Sequence, residues 1–326
     1  MPDLPSPRKP PSRFWLYAPY ALLLVVILSW SAAWLVISHV AAARMDETAA
    51  RLRSQGWSVD WARRQVGGYP FRLNVRLQSL HIAEPSGWSL AAPGLEAEAY
   101  AYAPEHWVMV APQGVTLTRP DSGAVMISGQ VLRASIARLA GQSIPQVAID
   151  GRALTVAPQT GAKPLPITAA DRFALYLRPL AGDQAEFQLQ LTGAAPLTGG
   201  LLASLSNEGP LNLVWDETLS HVSALAARDW PSAVRRWSAA GGDLTLVHGA
   251  LSAGGVSLTA RSGRTVVDGD GYLSGSLKAG LARTGGGLMT LGEVTVLAPR
   301  VENDLDLRGG KLRLGPFVLG KAPKVY

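Results

Sequence analysis

From Leu16 to Val40 the chain passes through twenty-five positions without one Asp, Glu, Lys or Arg, and beyond Trp57 its apolar positions fall into a period of two. The first pattern predicts a helix able to cross the roughly 30 Å apolar core of a bilayer. The second predicts strands with one face on a core and the other in water. Phe71, Leu73, Val75 and Leu77 alternate with Arg72, Asn74, Arg76 and Gln78; Phe173, Leu175 and Leu177, and then Phe187, Leu189 and Leu191, repeat the pattern. Further strands are predicted at 95–102, 107–111, 115–118, 125–128, 147–156, 211–215, 244–247, 256–260, 272–277, 294–297, 301–307 and 311–319. Gly and Pro signals such as Pro85-Ser86-Gly87, Gly254-Gly255 and Gly309-Gly310 separate them and suit tight antiparallel turns. The fold class is mainly β, a meander.

Helices are few. Met45–Gln55 continues the apolar span as a juxtamembrane stalk, because Ala41–Ala43, Ala49 and Ala50 favour helix and nothing breaks the run before Gly56. Glu217–Trp237 has Leu219, Val222, Leu225 and Ala226 at helical spacing, with a second short helix starting at Pro231. Ser135–Leu139 is a third short candidate. Two or three short helices cannot cover so many strands, so the apolar faces pack on one another or leave part of the sheet open as an apolar trough. Phe71, Leu73, Val75, Leu77, Phe173, Leu175, Leu177, Phe187, Leu189 and Leu191 are predicted to line that single apolar side.

The span is longer than the roughly 7–15 apolar residues of a cleaved signal, and Trp15, Tyr17, Tyr20, Trp30 and Trp34 put amphipathic rings near its ends, which favours an uncleaved anchor over a signal cut at Ala41–Ala43. Arg8, Lys9 and Arg13 before the span balance Arg44, Arg51 and Arg53 after it. The short Pro-rich tail cannot fold, which places it in the cytoplasm and the long remainder outside. The layout is a tail at 1–15, a transmembrane helix at 16–40, a stalk at 41–56 and a β-rich domain at 57–326.

Cysteine is absent, which excludes disulfides, thiolate metal sites and a Cys nucleophile. The net charge of +6 falls to +4 without residues 1–43, since Arg8, Lys9 and Arg13 less Asp3 contribute +2, and the rest is scattered. A nucleic-acid partner would require a patch or stripe, so none is expected. A mild basic excess fits ordinary surface solvation first, and contact with anionic head groups of a bilayer second. No nucleophile elbow, P-loop or dinucleotide fingerprint occurs; in Gly271-Tyr272-Leu273-Ser274-Gly275 the serine is misplaced. His39, His81, His106, His221 and His248 lack metal-ligand spacing, and Glu96 with Glu98, like Asp304 with Asp306, reads as the wet face of a strand. No cofactor, metal or catalytic residue is expected. The function is then either lipid binding in an apolar groove or a closed structural and protein-interaction module.

One local constellation stands out. Gly67-Gly68-Tyr69-Pro70-Phe71-Arg72 puts two flexible residues and a proline before a clean alternating strand, with Trp57 and Trp61 just upstream. It serves either as a strand entry or as a head-group contact made by Tyr69, Arg72 and the tryptophans. Together with the tail, span and stalk, with Trp237-Ser238-Ala239-Ala240-Gly241-Gly242 and with Gly310-Lys311-Leu312-Arg313-Leu314-Gly315-Pro316-Phe317, this motif resembles a bacterial envelope family, number 2125 of the domains of unknown function, itself similar to the AsmA-like proteins. The resemblance implies attachment to the bacterial inner membrane, an extended, curved antiparallel β-sheet in the periplasm and a role in lipid handling or envelope maintenance. It implies a bilayer, a phospholipid ligand and other envelope proteins as partners, and brings no catalytic residues. The chain is too short to bridge two membranes, which leaves local lipid binding or partner contact.

Overall fold

A computed structural model describes residues 14–138, 141–142, 144–197, 209–283, 288–291, 294–297 and 300–326. The Pro-rich tail, Leu139 and Arg13 lie outside the described residues. Span and stalk form one helix, α1 (Phe14–Ser54), whose 41 residues reach about 61 Å at 1.5 Å per residue, twice the hydrocarbon thickness of a bilayer. No residue in the most apolar window of α1 is buried within the protein.

Strands β1 (Ser58–Asp60), β2 (Arg63–Gly67), β3 (Arg72–Ala83), β4 (Ser89–Tyr100) and β5 (Ala103–Val110) follow. Next come β6 (Val115–Arg119), β7 (Gly123–Ser128), β8 (Val131–Ala137) and β9 (Gln146–Pro158), then β10 (Ile167–Leu180), β11 (Gln184–Pro196) and β12 (Leu211–Leu219). A 3-10 turn at Val222–Leu225 and a second helix, α2 (Trp230–Ala239), interrupt the strands. The chain closes with β13 (Leu244–Ala253), β14 (Val256–Val267), β15 (Leu273–Arg283), β16 (Leu288–Leu291), β17 (Val294–Leu297), β18 (Arg300–Arg308), β19 (Lys311–Leu314) and β20 (Phe317–Lys321).

Among the described residues β16 and β17 form a separate hairpin, and the other eighteen strands make one antiparallel sheet. It is a meander with one split. β4 pairs β5 along one half and β6 along the other, and β9 pairs β8 and β7 in the same way, so the two short pairs lie end to end between the long strands.

Residues directly opposite in antiparallel strands share a face. The register therefore places Val66, Val75, Ala97, Met109, Ala134, Ile149, Leu175, Leu189, Trp215, Gly249, Ala260 and Ala279 on one row across eleven strand pairings. A Cβ at Gly249 would come within 2.6 Å of the Trp215 ring, so the glycine makes room for the indole. The apolar side is closed at both ends of the sheet. Leu277, Leu281, Leu305, Leu307 and Leu314 are buried at one end, and Leu73, Val75, Leu77 and Leu80 at the other, whereas Ile149, Leu175, Leu189 and Trp215 between them are half-buried.

Three predicted elements change. Ser135–Leu139 is no helix: Ser135–Ala137 belongs to β8, held between β5 and β9, where pairing overrides the local propensity of Ala and Leu. Glu217–Leu219 ends β12, so the long helix predicted from Glu217 reduces to the 3-10 turn and to α2, which Pro231 opens behind the Asp229 cap. Residues 311–319 are two strands, because Gly315 turns back with φ +55°.

Helix α2 is fixed by its C-terminal glycines. The N–H of Gly242 bonds Trp237 O at 2.9 Å and that of Gly241, at φ +83°, bonds Ser238 O at 3.0 Å, a Schellman ending. The buried Trp237 lies over Gly242, where a Cβ would come within 2.3 Å of the ring, and its indole N–H donates to Ser220 O at 2.6 Å. Burial raises the Asp243 carboxyl, but bonds from the Ser220 hydroxyl, Arg264 and the Thr245 hydroxyl together hold it below its ordinary value. Trp237→Ala is expected to cost about 3–5 kcal/mol, and Gly242→Ala to be destabilising through collision with the same ring. Urea unfolding of the full-length protein in detergent checks both, and an unchanged midpoint for Gly242→Ala would contradict this packing.

Candidate functional site

The Gly67–Arg72 motif is the turn between β2 and β3. Gly68 has φ +101°, and a Cβ there would meet Arg72 O at 2.7 Å, so only glycine fits. This turn lies against α1. The Trp30 indole N–H donates to Pro70 O at 2.9 Å, the Trp34 indole N–H to Arg72 O at 2.9 Å, and the Ser31 and Tyr69 hydroxyls are 2.8 Å apart. The Trp34 and Tyr69 rings meet edge to face at 5.5 Å, and Trp30 and Phe71 lie 6.1 Å apart. The β4–β5 turn joins them through Ala101 N–H to Phe71 O at 2.9 Å, and carries Tyr100 and Tyr102 stacked at 5.0 Å.

Phe71, predicted on the apolar side, is therefore not buried there. It precedes β3, points at α1 and is 61% exposed, beside Tyr69 at 52%, Tyr100 at 49% and Tyr102 at 68%. Arg72 pairs with Glu98 at 3.1 Å and stands 5.9 Å over the Tyr100 ring, and Arg76 pairs with Glu96 at 3.2 Å. Glu96 and Glu98 are thus the outer, wet face of β4, and Asp304 is likewise paired with Lys278 at 2.7 Å.

Beyond Trp34 the helix lies over the inner face of the sheet and forms with it a partly open cavity of 610 Å³. Ile37, Ala41, Met45, Thr48, Ala49 and Leu52 form its helical wall, at the spacing of a single stripe. Leu73, Val75, Leu77, Leu80, Ile82, Leu95, Ala97, Trp107 and Met109 form the sheet wall, and Val59 and Trp61 close the far end. From Val36 to Leu52 the wall is about 24 Å long at 1.5 Å per residue. Arg44 and Thr48 are the polar side chains on the helical wall.

Arg64 of β2 clamps helix to sheet, bonding both oxygens of Asp46 at 2.7 and 2.9 Å. That hydrogen bond lowers the Asp46 carboxyl and raises the Arg64 guanidinium. Arg53 bonds Val59 O, and the Trp61 ring sits between Arg53 and Arg64 at 5.8 and 5.7 Å. Trp61 thus belongs to the cavity. Trp57 belongs to neither turn nor cavity, because its indole N–H reaches Arg228 O at 2.8 Å. With Glu84 accepting from Trp230 N–H at 3.0 Å and Trp230 donating to Val325 O at 2.8 Å, that bond brings both ends of the sheet together around α2.

Phe173, Leu175, Leu177, Phe187, Leu189 and Leu191 lie outside the cavity on the same apolar side, half-buried. They carry it onward as a strip. Glu217 faces this strip, opposite Phe187 and Leu246, and is 6% exposed. Burial pushes its carboxyl up, against a bond from Trp215. Among the described residues no cluster of His, Cys, Asp and Glu is arranged to hold a metal ion. Sequence reasoning missed the lid role of α1, although Ile37, Ala41, Met45, Ala49 and Leu52 already formed a stripe, and it missed Tyr100 and Tyr102.

A family model described as an uncharacterized protein conserved in bacteria, number 2125 of the domains of unknown function, matches residues 34–286. The chain belongs to that family. The match takes in the lid half of α1, the Gly67–Arg72 turn and α2 with its glycines; the Gly310–Phe317 stretch lies beyond it. No curated protein and no solved structure matches the chain.

Because burial raises the folded-state pKa of Glu217 above its ordinary 4.5, the folded protein holds a proton that the unfolded chain releases. Stability therefore falls as pH rises from 4.5 through the raised value. Glu217→Gln keeps an acceptor for Trp215 and removes this loss, so the variant should melt higher than the parent at pH 8 with the difference shrinking towards pH 4, as thermal melts at both pH values would read.

Proposed function

We propose that this member of the family is a membrane-anchored, non-catalytic lipid-handling protein that holds an acyl chain between α1 and its sheet. The observation that carries this reading is the 610 Å³ cavity, which falls within the roughly 300–1,000 Å³ of ligand pockets and is walled almost wholly by apolar side chains. Protein interiors leave few voids larger than a water molecule. A cleft about 24 Å long with apolar walls on both sides, lying beside a candidate membrane helix, suits an acyl tail.

The resemblance to the AsmA-like proteins supports the same use and a place in a bacterial envelope, with the basic stub in the cytoplasm and the β domain on the far side of the inner membrane. A second reading, a structural or protein-interaction module, draws on the closed core of Leu277, Leu281, Leu305 and Leu314 at the other end of the sheet.

A photoreactive amino acid at Trp107 of the full-length chain, irradiated in native membranes, is expected to give a lipid adduct by mass spectrometry. The same residue at the exposed Val247 should give none. Ala97→Trp, which fills the cavity, should abolish the adduct and leave the circular dichroism of the sheet intact. A bare protein at Trp107 would dismiss the acyl-chain reading in favour of the closed module.

A further inference from the structure

The aromatic turns carry a second inference, which concerns how the domain sits on its membrane. We infer that the Tyr69–Phe71 and Tyr100–Tyr102 turns are seated in the interfacial layer of the bilayer that α1 crosses, so that the hydrocarbon-spanning part of α1 ends near Ala33. The inference rests on α1 as a membrane anchor and not on an acyl chain in the cavity.

Depth follows from the helix. The twenty residues from Phe14 to Ala33 span about 30 Å, which matches the hydrocarbon core. Arg13 precedes this segment and Trp34 follows it. Trp30 and Trp34 then stand at the far boundary, the depth that indole rings prefer. Both are bonded to the β2–β3 turn, so Tyr69 and Phe71 share that depth by geometry.

A deeper register is excluded by polarity. If hydrocarbon extended to Val40, Trp34 would lie six residues, about 9 Å, below the surface. The turn bonded to Trp34 would then carry its backbone groups and the Arg72–Glu98 ion pair into lipid. Charges and unpaired backbone groups are costly there. A shallower register leaves Tyr69, Phe71, Tyr100 and Tyr102, all about half exposed or more, as one apolar patch in water. Contiguous exposed apolar surface of this kind marks a contact. The bilayer surface is the occupant that α1 itself delivers. Arg72, over the Tyr100 ring, is placed to reach lipid phosphate while its ring partners stay in the acyl boundary. The membrane-side end of the cavity, at Val36, Ile37 and Leu73, then begins within one helical turn of that boundary.

The absence of cysteine makes the test direct. Single cysteines replace Phe71, Tyr102, Val247 or His39, which is exposed and outside the cavity lining, in the full-length chain, which is spin-labelled in phospholipid nanodiscs and read for collision with oxygen and with a water-soluble nickel chelate. The expected result is an oxygen-to-nickel ratio at positions 71 and 102 clearly above that at 247, at a shallow depth of about 5–10 Å, with position 39 outside the hydrocarbon. Labels at 71 and 102 as nickel-accessible as position 247 would overturn the seating. Label at position 39 buried in hydrocarbon would overturn the boundary at Ala33. Shallow labels at 71 and 102 combined with no lipid adduct at Trp107 would leave this inference standing and the acyl-chain reading refuted.

Discussion

A helix of 41 residues is about twice as long as a bilayer is thick, and that surplus governs the rest of the molecule. The half of α1 beyond the length that a bilayer needs carries a stripe of Ile37, Ala41, Met45, Ala49 and Leu52, which has to leave water. The sheet has the complementary problem, since β3 and β4 offer Leu73, Val75, Leu77 and Leu95 with no second sheet over them. Each covers the other. In the Arg64–Asp46 pair the carboxylate is exposed and the guanidinium half-buried, and pairs open to water on one side contribute about 1 kcal/mol. Its two-point geometry sets the helix register, and apolar burial supplies the drive.

The remaining strands meet the same demand in a different way. At the C-terminal end, leucines of β15, β18 and β19 bury one another, while α2 and its Trp237 plug the end where Trp57, Glu84, Trp230 and Val325 converge. Between lid and closed core, the apolar row through Ile149, Leu175, Leu189 and Trp215 has no full cover, and its residues are correspondingly half-buried. A single layer with one apolar side produces this outcome whenever its covers are shorter than the sheet is wide.

Much of this was legible in the alternation. Strands with one wet face announce themselves by period two, so Leu73, Val75 and Leu77 were assigned to the buried side from sequence alone and are buried. Short polar strands do not, which is why β1 and β2 left no signal: Ser58–Asp60 and Arg63–Gly67 have little apolar content and are held by pairing with β3. Phe71 continued the alternation and yet is not buried, because β3 begins one residue later, at Arg72, and the Gly68 turn sets the ring beside Trp30. The lid was hidden for another reason. An alanine- and methionine-rich stripe reads equally as a free stalk, and only the position of the sheet separates the two.

The pattern of ties around the cavity has a mechanical consequence. Towards its N-terminus α1 is bonded to the sheet through Trp30 and Trp34, and farther along through Asp46, Arg53 and Ala42. All these partners belong to β2, β3 or the segment around β1, so α1 is fastened along one side of the cavity. The opposite flank ends at Pro104, Trp107 and Met109 of β5, which line the cavity without a bond to the helix. That flank adjoins β8 and β9, whose Ala134 and Ile149 lead into the half-buried strip. A hinge swing of α1 would have to break every tie at once. Sliding an apolar chain sideways past β5 breaks none, and keeps it on apolar surface from the cavity towards Leu175, Leu189 and Trp215. If an acyl chain is held here, the arrangement of bonds favours exchange across the sheet over opening of the lid.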